Sequence, residues 1–211
     1  MIYASGMEDR TISRQFSPDV QGTLLEYVLD SVWTVADELN VVFNKEPDLS
    51  VIETISPFGA RILNVSKSEN PVSAILSAFR TSKAKHSILV TERVPLLKPN
   101  VVLALFEAAH GYDLAMPRWS DGRVEPFLAV YRGNALLKLT SMLKNPFGAD
   151  ANSTMNFLSE QLFDVKYLSV ETQLAELDPE LDSFLKVNDD ETLANARSKA
   201  SVRVNRLKKS D

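Results

Sequence analysis

Residues 87–110 read SILVTERVPLLKPNVVLALFEAAH, and the two ends of this stretch have different periodicities. The first end, SILVT, places Ile88, Leu89 and Val90 in an uninterrupted apolar run. A strand buried on both faces has such a run, whereas a strand with one solvent-facing side alternates. The second end, NVVLALFEAAH, has the apolar spacing of a helix. The stretch therefore predicts a buried strand followed by a helix.

The same alternation recurs along the first half of the chain. The short runs IYAS, LNVVF and RILNV, over residues 2–5, 39–43 and 61–65, alternate with the helical patterns LLEYVLDSVWTVA and PVSAILSAFRT. In the second half, EPFLAVYR and FDVKYLSV read as strands, and NALLKLTSML and NSTMNFLSEQL read as inserted helices. Strands that alternate with helices indicate βαβ units. We predict an α/β fold with a mixed, mostly parallel central sheet.

Composition limits the classes of function. The chain has 211 residues, of which 45% are hydrophobic, and this length predicts one domain over residues 1–211. Its formal net charge of −5 gives no global attraction for nucleic acid or an anionic membrane. Without cysteine there is no disulfide or thiolate zinc site, and two histidines are too few for a histidine-based metal cluster. No apolar run approaches the roughly 18 residues of a membrane span, so we expect a cytoplasmic protein.

The N-terminal stretch MIYASGMEDRTISRQF follows the first predicted strand. A small residue such as Gly6 lets backbone N–H groups approach phosphate, and Arg10 can neutralise phosphate charge. Taken alone, the motif favours an ordinary strand-to-helix loop in which Gly6 turns the chain and Arg10 is a solvated charge, because short glycine motifs are common. Its position favours the functional interpretation, since open α/β sheets bind ligands at the carboxyl ends of their strands.

A more specific motif is MPRWSDGRVEPFLAVYRGNAL, over residues 116–136. Together with FLKVNDDETLANA near the end, it resembles the molybdenum cofactor guanylyltransferases, which are similar to molybdopterin-guanine dinucleotide biosynthesis protein A. The resemblance covers nearly the whole chain. It implies a three-layer α/β/α, Rossmann-like nucleotidyltransferase fold, with a nucleotide-binding half over residues 1–111 and an acceptor-binding half with a C-terminal helix over residues 112–211. The residues that match the family pattern in the motif are Pro117, Arg118, Gly122, Arg123, Pro126 and Tyr131.

The resemblance also implies roles for individual residues. The positions corresponding to catalytic residues are Arg10, Gln15 and Arg93. Those corresponding to nucleotide-binding residues are Tyr3, Ala4, Ser5, Gly6, Asn44, Asn64 and Asn70. Those corresponding to acceptor-binding residues are Arg118, Arg123 and Asn188.

Two of these positions depart from the family in charge. Gln15 stands where the family has a lysine, and Arg93 stands where the family has the aspartate that holds magnesium, two residues before Pro95. Glu92 is the nearest carboxylate, but a shift of one residue along a strand turns a side chain to the opposite face. Glu92 is therefore a metal ligand only if the backbone bulges. Arg93 can instead contact phosphate directly.

The resemblance implies transfer of GMP from GTP to molybdopterin cofactor, with Mg²⁺ as the metal if the protein is active. Two alternatives stay open: a weak or inactive member that binds nucleotide or molybdopterin as a regulatory or carrier protein, and a nucleotidyltransferase for another phosphorylated acceptor. The expected partners are GTP and molybdopterin cofactor, with no nucleic acid and no membrane. A homodimer or a partner in molybdoenzyme maturation also stays open.

Overall fold

The computed structural model describes residues 1–4, 16, 22–43, 46–64, 79, 82–133, 135 and 163–207. Elements are numbered along these residues. The strands are β1 (Ile2–Ala4), β2 (Asn40–Phe43), β3 (Arg61–Asn64), β4 (His86–Thr91), β5 (Leu114–Arg118), β6 (Leu128–Arg132) and β7 (Val165–Ser169). The α-helices are α1 (Leu24–Trp33), α2 (Leu49–Ile55), α3 (Pro99–Ala108) and α4 (Asp190–Leu207).

The strands form one sheet in the order β3-β2-β1-β4-β6-β5-β7. Strands β1 to β4 pair in parallel. Strand β6 runs antiparallel to both its neighbours, and β7 is parallel to β5. The predicted α/β fold with a mixed, mostly parallel sheet is confirmed. Strands β1 and β4 form the switch point, because the chain moves outward from β1 to β2 and β3 before it returns to the other side.

The parallel strands end at the same edge of the sheet, which we call the carboxyl edge. Ala4 pairs with Phe43, which in turn pairs with Asn64, and Tyr3 pairs with Thr91 at the end of β4. Open α/β sheets bind ligands at this edge, next to the switch point. The register therefore directs attention to the residues that follow Thr91.

Both faces of β4 are buried, as the uninterrupted apolar run predicts. Ile88 and Val90 pack with α1 and α3 on one face, while Leu89 packs with Met116 and Tyr131 on the other. At about 25 cal/mol per Å² of buried apolar area, these two layers supply the main driving force for folding.

Helix boundaries follow local signals. A capping box begins α1: the Glu26 N–H donates to Thr23 Oγ1 over 3.2 Å, and the Glu26 carboxylate accepts from the Thr23 N–H. This helix ends at Trp33, three residues before the end of its predicted pattern at Ala36. The predicted helices over residues 71–81, 134–143 and 152–162 lie outside the described residues, apart from Phe79 and Ala135. None of the described helices is long and apolar enough to cross a bilayer.

A third apolar cluster attaches the C-terminal segment to the loop after β4. Leu96 in this loop packs with Val187 and with Leu193 of α4. The Val187 N–H donates to the Arg93 carbonyl over 2.8 Å. These contacts fix residues 186–188 beside the carboxyl edge.

Candidate functional site

The residues directly after β4 form the centre of the candidate site. The Glu92 side chain is 0% exposed, whereas that of Arg93 is 35% exposed. Arg93 Nη1 donates to Asn188 Oδ1 over 3.1 Å, and Arg93 Nε lies 3.8 Å from Glu92 Oε1. The group that reaches the rim of the carboxyl edge is therefore a guanidinium, and the neighbouring carboxylate is directed into the protein.

This arrangement does not fit the magnesium ion that the family resemblance implies. Mg²⁺ takes near-octahedral oxygen ligands and is usually held by one or two carboxylates with water and phosphate. The Glu92 carboxylate is fully buried, and the charged group that follows it on the rim is the Arg93 guanidinium. Among the described residues, no group of three His, Asp or Glu side chains is placed to hold a metal. The assignment of Glu92 as a ligand stays a prediction that this placement does not favour.

Beside Arg93 lies a second polar cluster, which the sequence alone does not reveal. Lys186 Nζ donates to Glu125 Oε2 over 2.6 Å, and Trp119 Nε1 donates to Glu125 Oε1 over 3.0 Å. Glu125 itself is buried, so both donors satisfy a carboxylate that has little contact with water. The signals available were Glu125 within the VEPF motif and Lys186 two residues before Asn188.

A tight turn links β5 to β6 and carries two predicted acceptor-binding residues near its ends. The Trp119 N–H donates to the Arg123 carbonyl over 2.8 Å, and Gly122 has a φ of 91° that only glycine adopts without strain. Arg123 Nε donates to Asp121 Oδ2 over 2.6 Å, and this hydrogen bond lowers the pKa of the Asp121 carboxyl. The guanidinium of Arg118 stacks 5.0 Å from the centre of the Tyr167 ring.

The turn is braced by the segment that follows β7. The N–H and the hydroxyl of Ser120 both donate to Glu171 Oε1, over 2.9 and 2.8 Å. Glu171 lies in the π-helix Val170–Leu174, and the backbone N–H of Ser120 is the main cause of its lowered carboxyl pKa. Trp119 also packs edge-to-face on Phe184, with 5.5 Å between the ring centres. The turn is thus held in one orientation over the carboxyl edge.

The structure places seven of the predicted site residues at this edge. Among them, Arg93 donates to Asn188 Oδ1 and lies 3.8 Å from Glu92 Oε1. Asn64 ends β3, three strands from β4, which at about 4.8 Å per strand is too far for direct contact. For Tyr3, the structure describes the backbone in β1. The predicted residues outside the described residues are Ser5, Gly6, Arg10, Gln15, Asn44 and Asn70. The seven at the edge are Ala4, Asn64, Glu92, Arg93, Arg118, Arg123 and Asn188.

A cavity of about 500 Å³ lies at the opposite end of the sheet, which we call the amino edge. Its lining includes Glu38, Lys85, His86 and His110. The two imidazole rings are 5.8 Å apart. Burial and the nearby charges of His110, Lys85 and Arg132 lower the pKa of His86. This cavity is far from the switch-point residues after β4.

Solved structures with the same fold define the class. The chain superposes on molybdopterin-guanine dinucleotide biosynthesis protein A from Archaeoglobus fulgidus with a TM-score of 0.70 at 23% identity, covering 95% of this chain and 99% of that one. It superposes on 2-C-methyl-D-erythritol 4-phosphate cytidylyltransferase from Thermus thermophilus with a TM-score of 0.66 at 15% identity, covering 95% and 98%. The fold is therefore the Rossmann-like nucleotidyltransferase fold.

The family follows from the sequence match. The profile of the MobA-like NTP transferase domain matches residues 11–160, and the chain belongs to this family. It is 28% identical over 188 residues to a probable molybdenum cofactor guanylyltransferase of Methanosarcina mazei, which covers 86% of this chain and 81% of the relative. A probable molybdenum cofactor guanylyltransferase of Natronomonas pharaonis is 26% identical over 187 residues, with coverage of 87% and 88%.

Proposed function

We propose that this protein transfers GMP from GTP to molybdopterin cofactor at the carboxyl edge of the sheet. The observation that carries the proposal is the hydrogen bond between Arg93 and Asn188. It places a fixed cation at the switch point between β1 and β4, where an open sheet of this kind binds its ligand. The family and the relatives named for guanylyl transfer support GTP as the donor.

The reaction would be an in-line displacement. An oxygen of the acceptor phosphate attacks the α-phosphorus of GTP, a new P–O bond forms, and the bond to the β-phosphate oxygen breaks to release pyrophosphate. Positioning and charge neutralisation carry most of the catalysis in such transfers. We assign phosphate contact to Arg93 and, from sequence, to Arg10. The brace of Ser120 on Glu171 would hold the turn that carries Arg123 toward the acceptor.

A second candidate function is supported by the same guanidinium. Arg93 occupies the register of a metal-binding aspartate, and Gln15 offers a neutral amide where the family has a cation. Loss of one preorganised charge at such a site lowers the rate roughly a hundredfold to a thousandfold. A member that binds GTP or molybdopterin but turns over slowly, as a regulatory or carrier protein, is therefore the alternative.

The test is pyrophosphate release from GTP with molybdopterin present, with the dinucleotide product identified by mass spectrometry. ATP and CTP are the matched donor controls, and a sugar phosphate is the matched acceptor control. We expect dinucleotide product with GTP and molybdopterin. The rate of its formation distinguishes an efficient enzyme from a protein that binds GTP but turns over slowly. Product with the sugar phosphate instead would show another acceptor. The absence of both dinucleotide product and calorimetric GTP binding would contradict the proposal.

A further inference from the structure

Two cationic side chains share the rim of the carboxyl edge. Arg93 is 35% exposed and Lys186 is 41% exposed, so both charges are reached by solvent. They come from segments far apart in sequence, which the backbone bond from Val187 to the Arg93 carbonyl holds together at 2.8 Å. The two cations are thus neighbours through tertiary structure.

Solvent exposure and one hydrogen bond relate the two cations. Val187 is buried in the third apolar cluster, whereas its neighbour Lys186 is partly exposed and Asn188 is exposed. Arg93 donates to Asn188 Oδ1, two residues along the chain from Lys186. The guanidinium and the ammonium are therefore both accessible to solvent beside residues 186–188.

Each cation is anchored, Arg93 by Asn188 and by Glu92 Oε1 at 3.8 Å and Lys186 by Glu125, and each keeps further donor capacity. A guanidinium has five N–H donors and an ammonium has three. Among the described residues, Arg93 donates to Asn188 through Nη1, and Lys186 donates to Glu125 over 2.6 Å. Glu125 also accepts from Trp119, so it stays partly satisfied if Lys186 turns toward a ligand. This combination of anchoring and spare donors suits a phosphate, whose oxygens accept several hydrogen bonds.

We propose that Arg93 and Lys186 form a two-cation site for the diphosphate portion of a nucleotide, and that this site binds without a divalent metal. The location rests on the proposed function, but the chemistry does not. Because a guanidinium on the rim repels a metal ion, Mg²⁺ should add little to affinity here. In this chain, side-chain charge would take over neutralisation of the phosphates.

The test is binding of inorganic pyrophosphate to the full chain, measured by calorimetry in EDTA and again in Mg²⁺. We expect the two dissociation constants to agree within about threefold. Arg93→Gln keeps an amide that can contact Asn188 but loses the charge, and it should weaken binding about tenfold, as should Lys186→Gln. The matched controls are Arg61→Gln and Lys166→Gln, which each remove one charge from elsewhere on the sheet and should leave binding unchanged.

Lys186 also needs to be separated from a purely structural role in satisfying Glu125. The double variant Glu125→Gln with Lys186→Gln removes both charges of the pair and leaves no buried carboxylate without its cation. If Lys186 binds phosphate, this double variant binds pyrophosphate as weakly as Lys186→Gln, whereas Lys186→Arg, which keeps the positive charge, binds more tightly than either. Wild-type binding by the double variant would overturn the assignment of Lys186.

The remaining outcomes separate this inference from the proposed function. A gain of more than tenfold in wild-type affinity on adding Mg²⁺ would overturn the metal-free site even if GMP transfer occurs. Wild-type binding by Arg93→Gln would do the same. Tight, metal-independent pyrophosphate binding that Arg93→Gln weakens would support the site even if no dinucleotide is made, and the proposed function alone would then fail.

Discussion

The two edges of the sheet differ in what they offer a ligand. At the amino edge there is a cavity of about 500 Å³, and its lining includes Glu38, Lys85 and His86. The carboxyl edge carries Arg93 bonded to Asn188 and Lys186 bonded to Glu125, with each contact between 2.6 and 3.1 Å. The amino edge offers a cavity, and the carboxyl edge offers charged side chains held by hydrogen bonds.

The two edges separate two criteria for a ligand site, which are cavity volume and position in the sheet topology. A large pocket is the usual first hypothesis when nothing else is known. Here the sheet topology places the switch point at the other edge, and the family match places the chain among nucleotidyltransferases. We therefore favour the carboxyl edge as the ligand site.

The largest expected effect comes from restoring the family charges. We expect the double variant Gln15→Lys with Arg93→Asp to release pyrophosphate from GTP roughly a hundredfold faster than the wild type with molybdopterin and magnesium. A lysine would neutralise the leaving pyrophosphate, and preorganised charge of this kind is worth about 2.7 to 4 kcal/mol. Gln15→Lys alone should gain less, and Arg93→Asp alone should gain nothing, because it removes the proposed phosphate-binding cation with no lysine to replace it. If the wild type releases pyrophosphate rapidly and the double variant is slower, this chain uses its own residues for catalysis.

Next in size is the buried ion pair behind the carboxyl edge. Asp178 is 0% exposed, pairs with Lys98 Nζ, and accepts from the Ser183 N–H over 2.7 Å. We expect Asp178→Ala to lower the free energy of unfolding by about 3 kcal/mol, because it leaves Lys98 partly buried without its partner. Chemical denaturation measures this change.

The same carboxylate predicts a dependence on pH. Burial raises the pKa of Asp178, but the bonds from Lys98 and Ser183 outweigh it, and the net pKa is lowered. Its stabilising contribution is therefore present above the ordinary carboxyl range and is lost as pH falls.

The matched control for Asp178→Ala is Glu38→Ala at the amino edge, whose exposed pair with Arg61 at 3.3 Å should contribute less than about 1 kcal/mol. Equal losses in the two variants would contradict the prediction.

A smaller effect is expected at the turn over the carboxyl edge. Gly122 has a φ of 91°, and a Cβ added there would meet no atom within 4 Å, so only backbone strain opposes a side chain. We expect Gly122→Ala to lower the free energy of unfolding by about 1 to 2 kcal/mol. Gly122→Asn should lose less, since asparagine tolerates positive φ better. Thermal denaturation of both variants checks the order, and an alanine variant as stable as the wild type would refute it.

The smallest effect belongs to the amino edge. Burial first, and then the charges of His110, Lys85 and Arg132, lower the pKa of His86, so protonation is less favourable in the folded state. Wild-type stability should fall as pH decreases below about 6.5, and His86→Asn should reduce this slope. The GTP affinity of the variant, measured by calorimetry, should equal that of the wild type. A weakened affinity would move the ligand site to the amino edge.

Local patterns predicted much of the sheet. The runs at residues 39–43 and 87–91 correspond to β2 and β4 with shifts of one residue at their starts, and Asp121 with Gly122 marks the turn that the structure contains. Burial on both faces of β4 follows from its uninterrupted apolar run. These features depend on neighbouring residues, which sequence displays directly.

The polar contacts of the site depend on residues that sequence separates. Arg93 and Asn188 are 95 positions apart, and Lys186 and Glu125 are 61 apart. No periodicity relates such pairs, and family resemblance alone indicated that Asn188 belongs to the site. The structure also directs the Glu92 carboxylate inward. The alternation of side chains along a strand suggested this direction, but only the packing of the folded chain decided it.

The fold class, the order of the elements and the arginine at position 93 can be read from the amino-acid sequence, because hydrophobic periodicity and residue type are local properties. Tertiary structure alone decided which charged group reaches the rim of the carboxyl edge and which cations stand together there. The physical reason is that the third apolar cluster, through Leu96 and Val187, packs the C-terminal segment against the loop after β4. That packing, rather than any motif, brings Lys186 and Asn188 to Arg93.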